Sequence, residues 1–344
     1  MNVEDRLGRR SVELAFVATL GALQTLAYAE PAYWPVQWMA VALLAWRVGH
    51  AAPVRAALLG WAFGTAWLCA ATWWLFVSLH RYGGLPAWLA VLAVFALSAF
   101  LSLYLAAAMA VVARWRSPSR WRGALLFAAA WLLAELARGV VFTGFPWAAS
   151  GYAHVDSPLR GFAPWLGVYG IGGLAAGLAA AVAFPAAGGR GLSRPAILTF
   201  VGVLVAGALL GQLDFTRPTG TLAVTLLQGN VPQDEKFSAR FVPEALAGTA
   251  GQLEQALGEL VVGPETVIPL LPGQIDPAFR QALVDRFGRP GRAALLGMPM
   301  GDDVAGYTNS AIGLSSETAA MPGGAYRYDK HHLVPFGEFV PFGF

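Results

Sequence analysis

The 344-residue chain is 57% hydrophobic and 12% charged, which is about half the charged fraction of an ordinary soluble domain. This deficit indicates surface that faces lipid, and a net charge of +3 gives no reason to expect a nucleic-acid partner. Six of the 20 acidic residues precede Asp214, and the other fourteen lie from Asp214 onward. The asymmetry predicts a membrane part, residues 1–213, followed by a water-facing part, residues 214–344.

Seven apolar runs recur in the membrane part, each near the roughly 20 residues with which a helix crosses a bilayer. They cover about residues 11–29, 34–49, 54–79, 85–113, 122–142, 163–186 and 195–211. Further apolar runs follow the first one without a clear cleavage site, so we interpret it as a retained helix. With the N-terminus inside the cell, eleven arginines fall in inner segments and three in outer segments. The positive-inside rule therefore places the water-facing part outside the membrane.

Two polar features interrupt the apolar runs. Glu135 and Arg138 lie three residues apart, a spacing that puts both side chains on one helix face. We expect an ion pair there, either structural or part of a functional site. Cys69 is the one cysteine, which excludes an internal disulfide. Its apolar surroundings disfavour a thiolate, so the sequence favours an inert thiol.

From Thr221 the pattern changes to short β-like runs that alternate with amphipathic stretches, which is typical of an α/β sandwich. Strands are predicted at residues 221–227, 261–268, 293–298, 310–314 and 325–328. Helices are predicted at residues 243–260 and 277–287.

Two charged residues in this second part are candidates for chemistry. Glu265 lies near the end of a predicted strand, where a rigidly held carboxylate can act as a general base. A solvated loop position is the alternative. Lys330 is one of only two lysines against 21 arginines, which suggests that a compact ammonium is needed there. His331 and His332 follow it, but no third ligand is spaced to complete a metal site with them.

Short motifs occur in a definite order along both parts. In the membrane part they are Thr143-Gly144-Phe145-Pro146-Trp147, Gly151-Tyr152 and Gly167-Val168-Tyr169-Gly170. In the water-facing part they are Pro264-Glu265-Thr266 and the segments 227–233, 307–310 and 328–338. Together, in this order and behind the apolar runs, they resemble the apolipoprotein N-acyltransferase family of bacterial membrane enzymes.

The resemblance carries expectations for fold and site. It implies a multi-span α-helical membrane bundle followed by part of an αββα nitrilase-like sandwich. It also implies that Glu265 is the general base and that Lys330 stabilises the oxyanion of a tetrahedral intermediate. Glu338, Phe237 and Asn309 would support the site or bind substrate. No cofactor and no metal is expected.

The reaction implied by the resemblance is the last step of lipoprotein maturation. An acyl chain passes from a phosphatidylethanolamine-like glycerophospholipid to the N-terminal amine of a diacylglyceryl-cysteine on an apolipoprotein, through a cysteine thioester. The enzyme would lie in the bacterial inner membrane with its catalytic domain in the periplasm. No cysteine follows Lys330, so we expect the 344-residue chain itself to be inactive and the complete protein to continue past Phe344. Gly263 and Phe237 stand where the family often has tryptophan.

Two other functions stay open on the sequence. A membrane-anchored nitrilase-like amidase would use the same residues on a small amide, but it would not need the segments at 144–147 and 167–170. A transporter or other non-enzymatic membrane protein would be expected to carry more ionisable residues in mid-membrane.

Overall fold

The chain forms two compact units, Met1–Phe215 and Thr216–Phe344. The computed structural model describes residues 3–184, 194–232, 238, 240–302, 304, 306–321 and 324–333. The first unit is helical, and the second contains a sheet. A membrane bundle followed by a partial sheet domain is therefore confirmed as the fold class.

The first unit is built from apolar helices that follow the predicted runs. They are α1 (Val3–Leu23), α2 (Leu26–Ala29), α3 (Trp34–Gly49), α4 (Pro53–Ala71), α5 (Trp74–Val77), α6 (Ala87–Arg114), α7 (Arg120–Val140), α8 (Ala163–Ala183) and α9 (Arg194–Leu210). Within the described ranges, five segments are long and apolar enough to cross a membrane: Arg10–Ala29, Pro53–Ala71, Ala87–Arg114, Arg120–Thr143 and Pro158–Ala183. Helices α3 and α9 are shorter, with 16 and 17 residues. The multi-span character is confirmed, and the count of seven crossings stays a prediction.

Small residues let the helices of the bundle approach closely. A β-carbon on Gly60 of α4 would lie 2.9 Å from the carbonyl oxygen of Leu105 on α6. One on Gly64 would lie 2.8 Å from the hydroxyl oxygen of Ser102, one turn away on the same pair of helices. Lipid is as apolar as the side chains, so close packing of this kind, rather than hydrophobic burial, holds membrane helices together.

The two ends of the bundle differ in chemistry. At one end the Glu13 carboxylate of α1 accepts hydrogen bonds from Arg47 on α3 and Arg55 on α4. At the other end the connections between helices are rich in aromatic residues, and the Tyr28 hydroxyl donates to the carbonyl oxygen of Ala148 at 3.3 Å. The charged end ties three helices together, and the aromatic end ties α2 to the connection between α7 and α8.

The second unit contains a five-stranded sheet in the order β1-β2-β3-β4-β5. The strands are β1 (Val224–Leu226), β2 (Leu260–Val262), β3 (Ala293–Asp302), β4 (Gly306–Ser315) and β5 (Tyr326–Asp329), with helices α10 (Val242–Gln255) and α11 (Pro277–Phe287). Strands β1, β2 and β3 are parallel, while the β3–β4 and β4–β5 pairs are antiparallel. Strands β2 and β5 therefore run in the same direction, and their carboxyl ends lie at the same edge of the sheet.

The predicted helix at 243–260 is wrong at its end, because α10 stops at Gln255 and Leu260 already belongs to β2. The segment between them passes against β1. A β-carbon on Gly258 would lie 2.6 Å from the backbone nitrogen of Thr225, and the backbone N–H of Gly258 donates to the Thr225 hydroxyl. Helical periodicity in the leucines could not reveal this contact. Helix α11 agrees with its prediction at both ends.

The predicted strand at 261–268 is also too long, because β2 ends at Val262. Pro264 has no backbone N–H to give to a strand ladder. Thr266 adopts a positive φ of 53°, which takes the chain out of the extended conformation. Glu265 therefore lies in a loop beyond β2 and not in a strand.

Alternation along β4 gives the sheet two different faces. Ile312 and Leu314 are buried in the core that the sheet forms with α10 and α11. Asn309 and Ala311 lie on the opposite face and are less buried. The candidate site lies on this second face.

Candidate active site

The loop after β2 folds over the face of β3. A β-carbon on Gly297, in the middle of β3, would lie 2.6 Å from the carbonyl oxygen of Pro264 and 2.8 Å from the Cα of Glu265. The backbone N–H of Ile268 donates to the carbonyl oxygen of Gly297 at 3.2 Å, which holds the loop against the strand. The absence of a side chain at Gly297 thus allows the loop to carry Glu265 across β3 towards β4.

Glu265, Asn309 and Lys330 meet at this place. The Asn309 side-chain amide donates to Oε1 of Glu265, and Lys330 Nζ lies 3.6 Å from the same oxygen. The backbone N–H of Lys330 donates to the carbonyl oxygen of Asn309 at 2.9 Å. Asn309 therefore contacts both charged residues, one through its side chain and the other through its backbone.

The cluster is open to solvent within the described part of the chain. The Glu265 side chain is 63% exposed and the Lys330 side chain is 34% exposed. An ion pair this exposed contributes little to folding stability. A carboxylate, an ammonium and a carboxamide thus converge where a substrate can reach them, a set that can remove a proton and stabilise a developing oxyanion.

Asp329, the last residue of β5 and the neighbour of Lys330, is a charged residue to which the sequence analysis gave no role. Its Oδ1 accepts from the guanidinium Nε of Arg327 at 2.7 Å, from the Ser310 hydroxyl at 2.6 Å and from the Thr308 hydroxyl at 3.0 Å. The Arg327 guanidinium, followed by the Ser310 hydroxyl, lowers the pKa of Asp329 to about 2. Strand alternation directs Asp329 away from the face of Lys330. The two-residue spacing of Arg327 and Asp329 was the signal that could have revealed this pair.

Two of the predicted site residues, Phe237 and Glu338, lie outside the described residues, and their roles stay predictions. Cys69 lies on α4, in the first unit. Among the residues that the structure describes, no group of three His, Cys, Asp or Glu side chains could hold a metal ion.

Gly263, where the resemblance leads us to expect tryptophan, lies in a filled space. A β-carbon there would lie 2.9 Å from Cγ1 of Val267 and 3.1 Å from Cδ2 of Leu296. The surrounding aliphatic side chains thus occupy the room that a larger residue would need.

Comparison with known proteins gives one consistent result. The family model described as the apolipoprotein N-acyltransferase N-terminal domain matches residues 20–182. The chain is 49% identical to the apolipoprotein N-acyltransferase of Verminephrobacter eiseniae, over 95% of this chain and 64% of the relative. It is 43% identical to that of Ralstonia nicotianae, over 98% of this chain and 64% of the relative. It is 40% identical to that of Bordetella bronchiseptica, over 96% of this chain and 67% of the relative.

The chain spans about two thirds of the length of these relatives, 64% to 67%. The aligned region covers both units of the chain, and more than a third of the aligned residues are identical in each of the three comparisons. The chain belongs to the apolipoprotein N-acyltransferase family.

Proposed function

We propose that this chain provides the general base and the oxyanion-stabilising cation of an enzyme that N-acylates lipoproteins. The observation that carries the proposal is the meeting of Glu265, Lys330 and Asn309, with Lys330 Nζ 3.6 Å from the Glu265 carboxylate. Membership of the N-acyltransferase family and the membrane helices of the first unit support it.

In the first half-reaction a cysteine thiol gives its proton to Glu265, and the sulfur attacks an ester carbonyl of a glycerophospholipid. The carbonyl oxygen becomes an oxyanion, which the ammonium of Lys330 stabilises. Collapse of this intermediate breaks the ester bond, and the departing lysophospholipid oxygen takes the proton from Glu265. A thioester between the acyl chain and the cysteine remains.

In the second half-reaction the N-terminal amine of a diacylglyceryl-cysteine attacks the thioester carbonyl. Glu265 accepts the proton of the amine, and Lys330 stabilises the second oxyanion. Breakage of the carbon–sulfur bond forms the amide, and the sulfur leaves as a thiol with the proton from Glu265. We assign the nucleophile to no residue of this chain, because its one cysteine, Cys69, lies on a membrane helix.

The lipid nature of both proposed substrates explains why the catalytic domain is joined to membrane helices. Both the phosphatidylethanolamine-like donor and the acceptor are anchored by acyl chains, and exposing each CH₂ to water costs about 0.8 kcal/mol. A catalytic domain joined to a membrane bundle meets both substrates at the bilayer. The excess of arginines in the inner segments favours the inner membrane with the catalytic domain on the periplasmic side.

The test is complementation of a bacterial strain depleted of its own N-acyltransferase. The natural gene that contains this sequence, read to its own stop codon, is expressed as wild type, Glu265→Gln, Lys330→Ala or Glu259→Gln. The mass of the N-terminal peptide of a lipoprotein is then measured by mass spectrometry. The amount of each expressed variant in the membrane is measured in parallel. Glu259 is an exposed carboxylate at the other end of β2, so its variant is the matched control.

We expect wild type and Glu259→Gln to restore the third acyl chain, and Glu265→Gln and Lys330→Ala to abolish it at unchanged protein level. Failure of the wild-type gene to restore N-acylation would overturn the proposed function. Near-normal acylation by either site variant would overturn the roles given to Glu265 and Lys330.

A further inference from the structure

Glu135 and Arg138 form the expected ion pair on α7, with 3.5 Å between Arg138 Nη2 and Glu135 Oε1. Each side chain is only 4% exposed. The proposed chemistry uses neither residue, and it uses none of the three membrane motifs at 143–147, 151–152 and 167–170. The structure brings all of these together around the ion pair.

The pair is bonded to the backbone of the segment that follows α7. Arg138 Nη1 donates to the carbonyl oxygens of Phe145 and Trp147, and the backbone N–H of Phe145 donates back to the carbonyl oxygen of Arg138 at 2.7 Å. Glu135 accepts from the backbone N–H of Ser150 at 2.7 Å and from its hydroxyl at 2.6 Å. Two buried charges thus determine the path of residues 145–150.

Glycines let this segment lie against its neighbours. A β-carbon on Gly172 of α8 would lie 2.8 Å from Glu135 Oε2 and would also meet the Ser150 hydroxyl. A β-carbon on Gly151 would collide with the carbonyl oxygen of Val168. The motifs therefore build one close-packed scaffold.

The same segment contains three non-glycine residues with positive φ: Phe142 at 56°, Thr143 at 71° and Ala148 at 54°. Such conformations persist only where the surrounding contacts determine them, and they concentrate at positions that contact a ligand. Ala148 lies between Trp147 and Ser150, and the ion pair is hydrogen-bonded to both of these residues.

We call residues 141–152 the aromatic loop, because its rings point away from this scaffold. Phe142 is 79% exposed, and Trp147 and Tyr152 are each more than half exposed. The Phe142 ring lies 6.0 Å from that of Phe100 on α6, and the Trp147 ring lies 5.1 Å from that of Trp74. Rings held on the outside by a buried scaffold form a surface for a partner.

The aromatic loop continues the lipid-facing surface of α6 and α7. Both helices are long and apolar enough to cross a membrane. Their large exposed apolar side chains include Leu92, Phe95, Phe100, Leu125, Leu133 and Val140. Val140 ends α7 immediately before the loop, and Phe100 packs on Phe142. The Phe142 ring is thus continuous with the exposed apolar surface of α6 and α7.

We propose that the aromatic loop sits in the lipid–water interface of the bilayer and that the Glu135–Arg138 pair holds it at that depth. Its partner is membrane phospholipid, with the ring of Phe142 among the upper acyl chains and the polar atoms of Trp147 and Tyr152 near the headgroups. Aromatic rings with one polar atom prefer this depth. The proposal rests on the bundle alone and does not depend on the acyl-transfer chemistry.

Spin labels test the depth directly. Because Cys69 is the one cysteine, Cys69→Ala gives a cysteine-free background for Phe142→Cys, with Leu133→Cys and Arg81→Cys as references. Leu133 is an exposed residue of α7, and Arg81 is an exposed residue of another helix connection. Each labelled protein is placed in phosphatidylethanolamine–phosphatidylglycerol nanodiscs, and its collisions with oxygen and with a polar nickel complex are measured.

We expect the oxygen-to-nickel collision ratio at position 142 to be several-fold above that at 81 and below that at 133. A ratio equal to that at 81 would place the loop in water and overturn the proposal. Protection from both reagents would mean that protein, such as a second copy of this chain, covers the loop, and this would also overturn it.

A second measurement tests whether the Glu135–Arg138 pair holds the aromatic loop at its depth in the bilayer. Arg138→Lys keeps the charge but loses the fork that reaches two carbonyl oxygens and a carboxylate together. We expect this variant to give the label at 142 faster motion and a shifted depth while the label at 133 is unchanged. An unaltered spectrum at 142 in folded Arg138→Lys protein would overturn the role of the pair, whatever the wild-type depth.

Discussion

A β-carbon on Gly297 would lie 2.8 Å from the Cα of Glu265, closer than packed atoms approach. The loop that carries Glu265 therefore rests directly on the backbone of β3. This contact is what brings Glu265 to Asn309 and Lys330, which lie on β4 and at the end of β5.

Replacement of Gly297 tests this dependence. We expect Gly297→Ala to push the loop off β3, to destabilise the second unit by about 1–3 kcal/mol through overpacking and to lower N-acylation strongly. Gly313→Ala is the matched control, because its β-carbon would meet Cβ of Tyr326 at an ordinary 3.4 Å. Thermal unfolding and lipoprotein mass spectrometry measure the two effects. Equal behaviour of both variants would contradict the role of Gly297.

Asn309 should matter through its contact with Glu265. A hydrogen bond to a charged group is worth about 1.5 kcal/mol or more, and exposure reduces this, so we expect Asn309→Ala to lower kcat/KM roughly tenfold with the fold intact. Tyr307→Phe, an exposed change on the same strand, is the control. Full activity of Asn309→Ala in an acyl-transfer assay would show that other contacts orient Glu265.

Asp329 should make stability depend on acid pH. Its pKa in the folded protein is about 2, below the ordinary 3.8, because Arg327 and then Ser310 favour the carboxylate. The stabilisation is therefore complete above about pH 4, declines as the pH falls towards 2 and is lost below that. We expect the difference in Tm between wild type and Asp329→Asn to shrink over this window. A difference that is constant from pH 6 to pH 2 would refute the assignment.

The orientation of the bundle is a separate prediction. Glu13 ties Arg47 and Arg55 together at the end of the bundle that the arginine count places in the cytoplasm. Reporter fusions after residue 213 should behave as exported, and fusions after residue 120 as cytoplasmic. The reverse pattern at either position would refute the orientation.

The sequence by itself determined the division into a membrane part and an α/β part, and it determined most of the apolar helices within a few residues, although α1 begins at Val3, eight residues before the predicted run. Hydropathy and helical periodicity are local properties, and tertiary packing did not change them in these segments. The ion pair of Glu135 and Arg138 could be predicted from the sequence for the same reason, since both residues lie on one helix face. The candidates Glu265 and Lys330 came from short motifs and from the scarcity of lysine.

Only the tertiary structure decided how those two candidates meet. Periodicity placed Glu265 in a strand. In the structure Pro264 and the positive φ of Thr266 end the extended conformation before Glu265 can join the sheet, and Gly297 leaves room for the resulting loop to cross β3. The shared edge of β2 and β5 follows from the strand order, which depends on contacts between distant segments. The same holds for Asn309, whose hydrogen bonds with Glu265 and Lys330 join residues far apart in the chain. Contacts across strands leave no periodic trace in a single sequence, so only the folded chain reveals them.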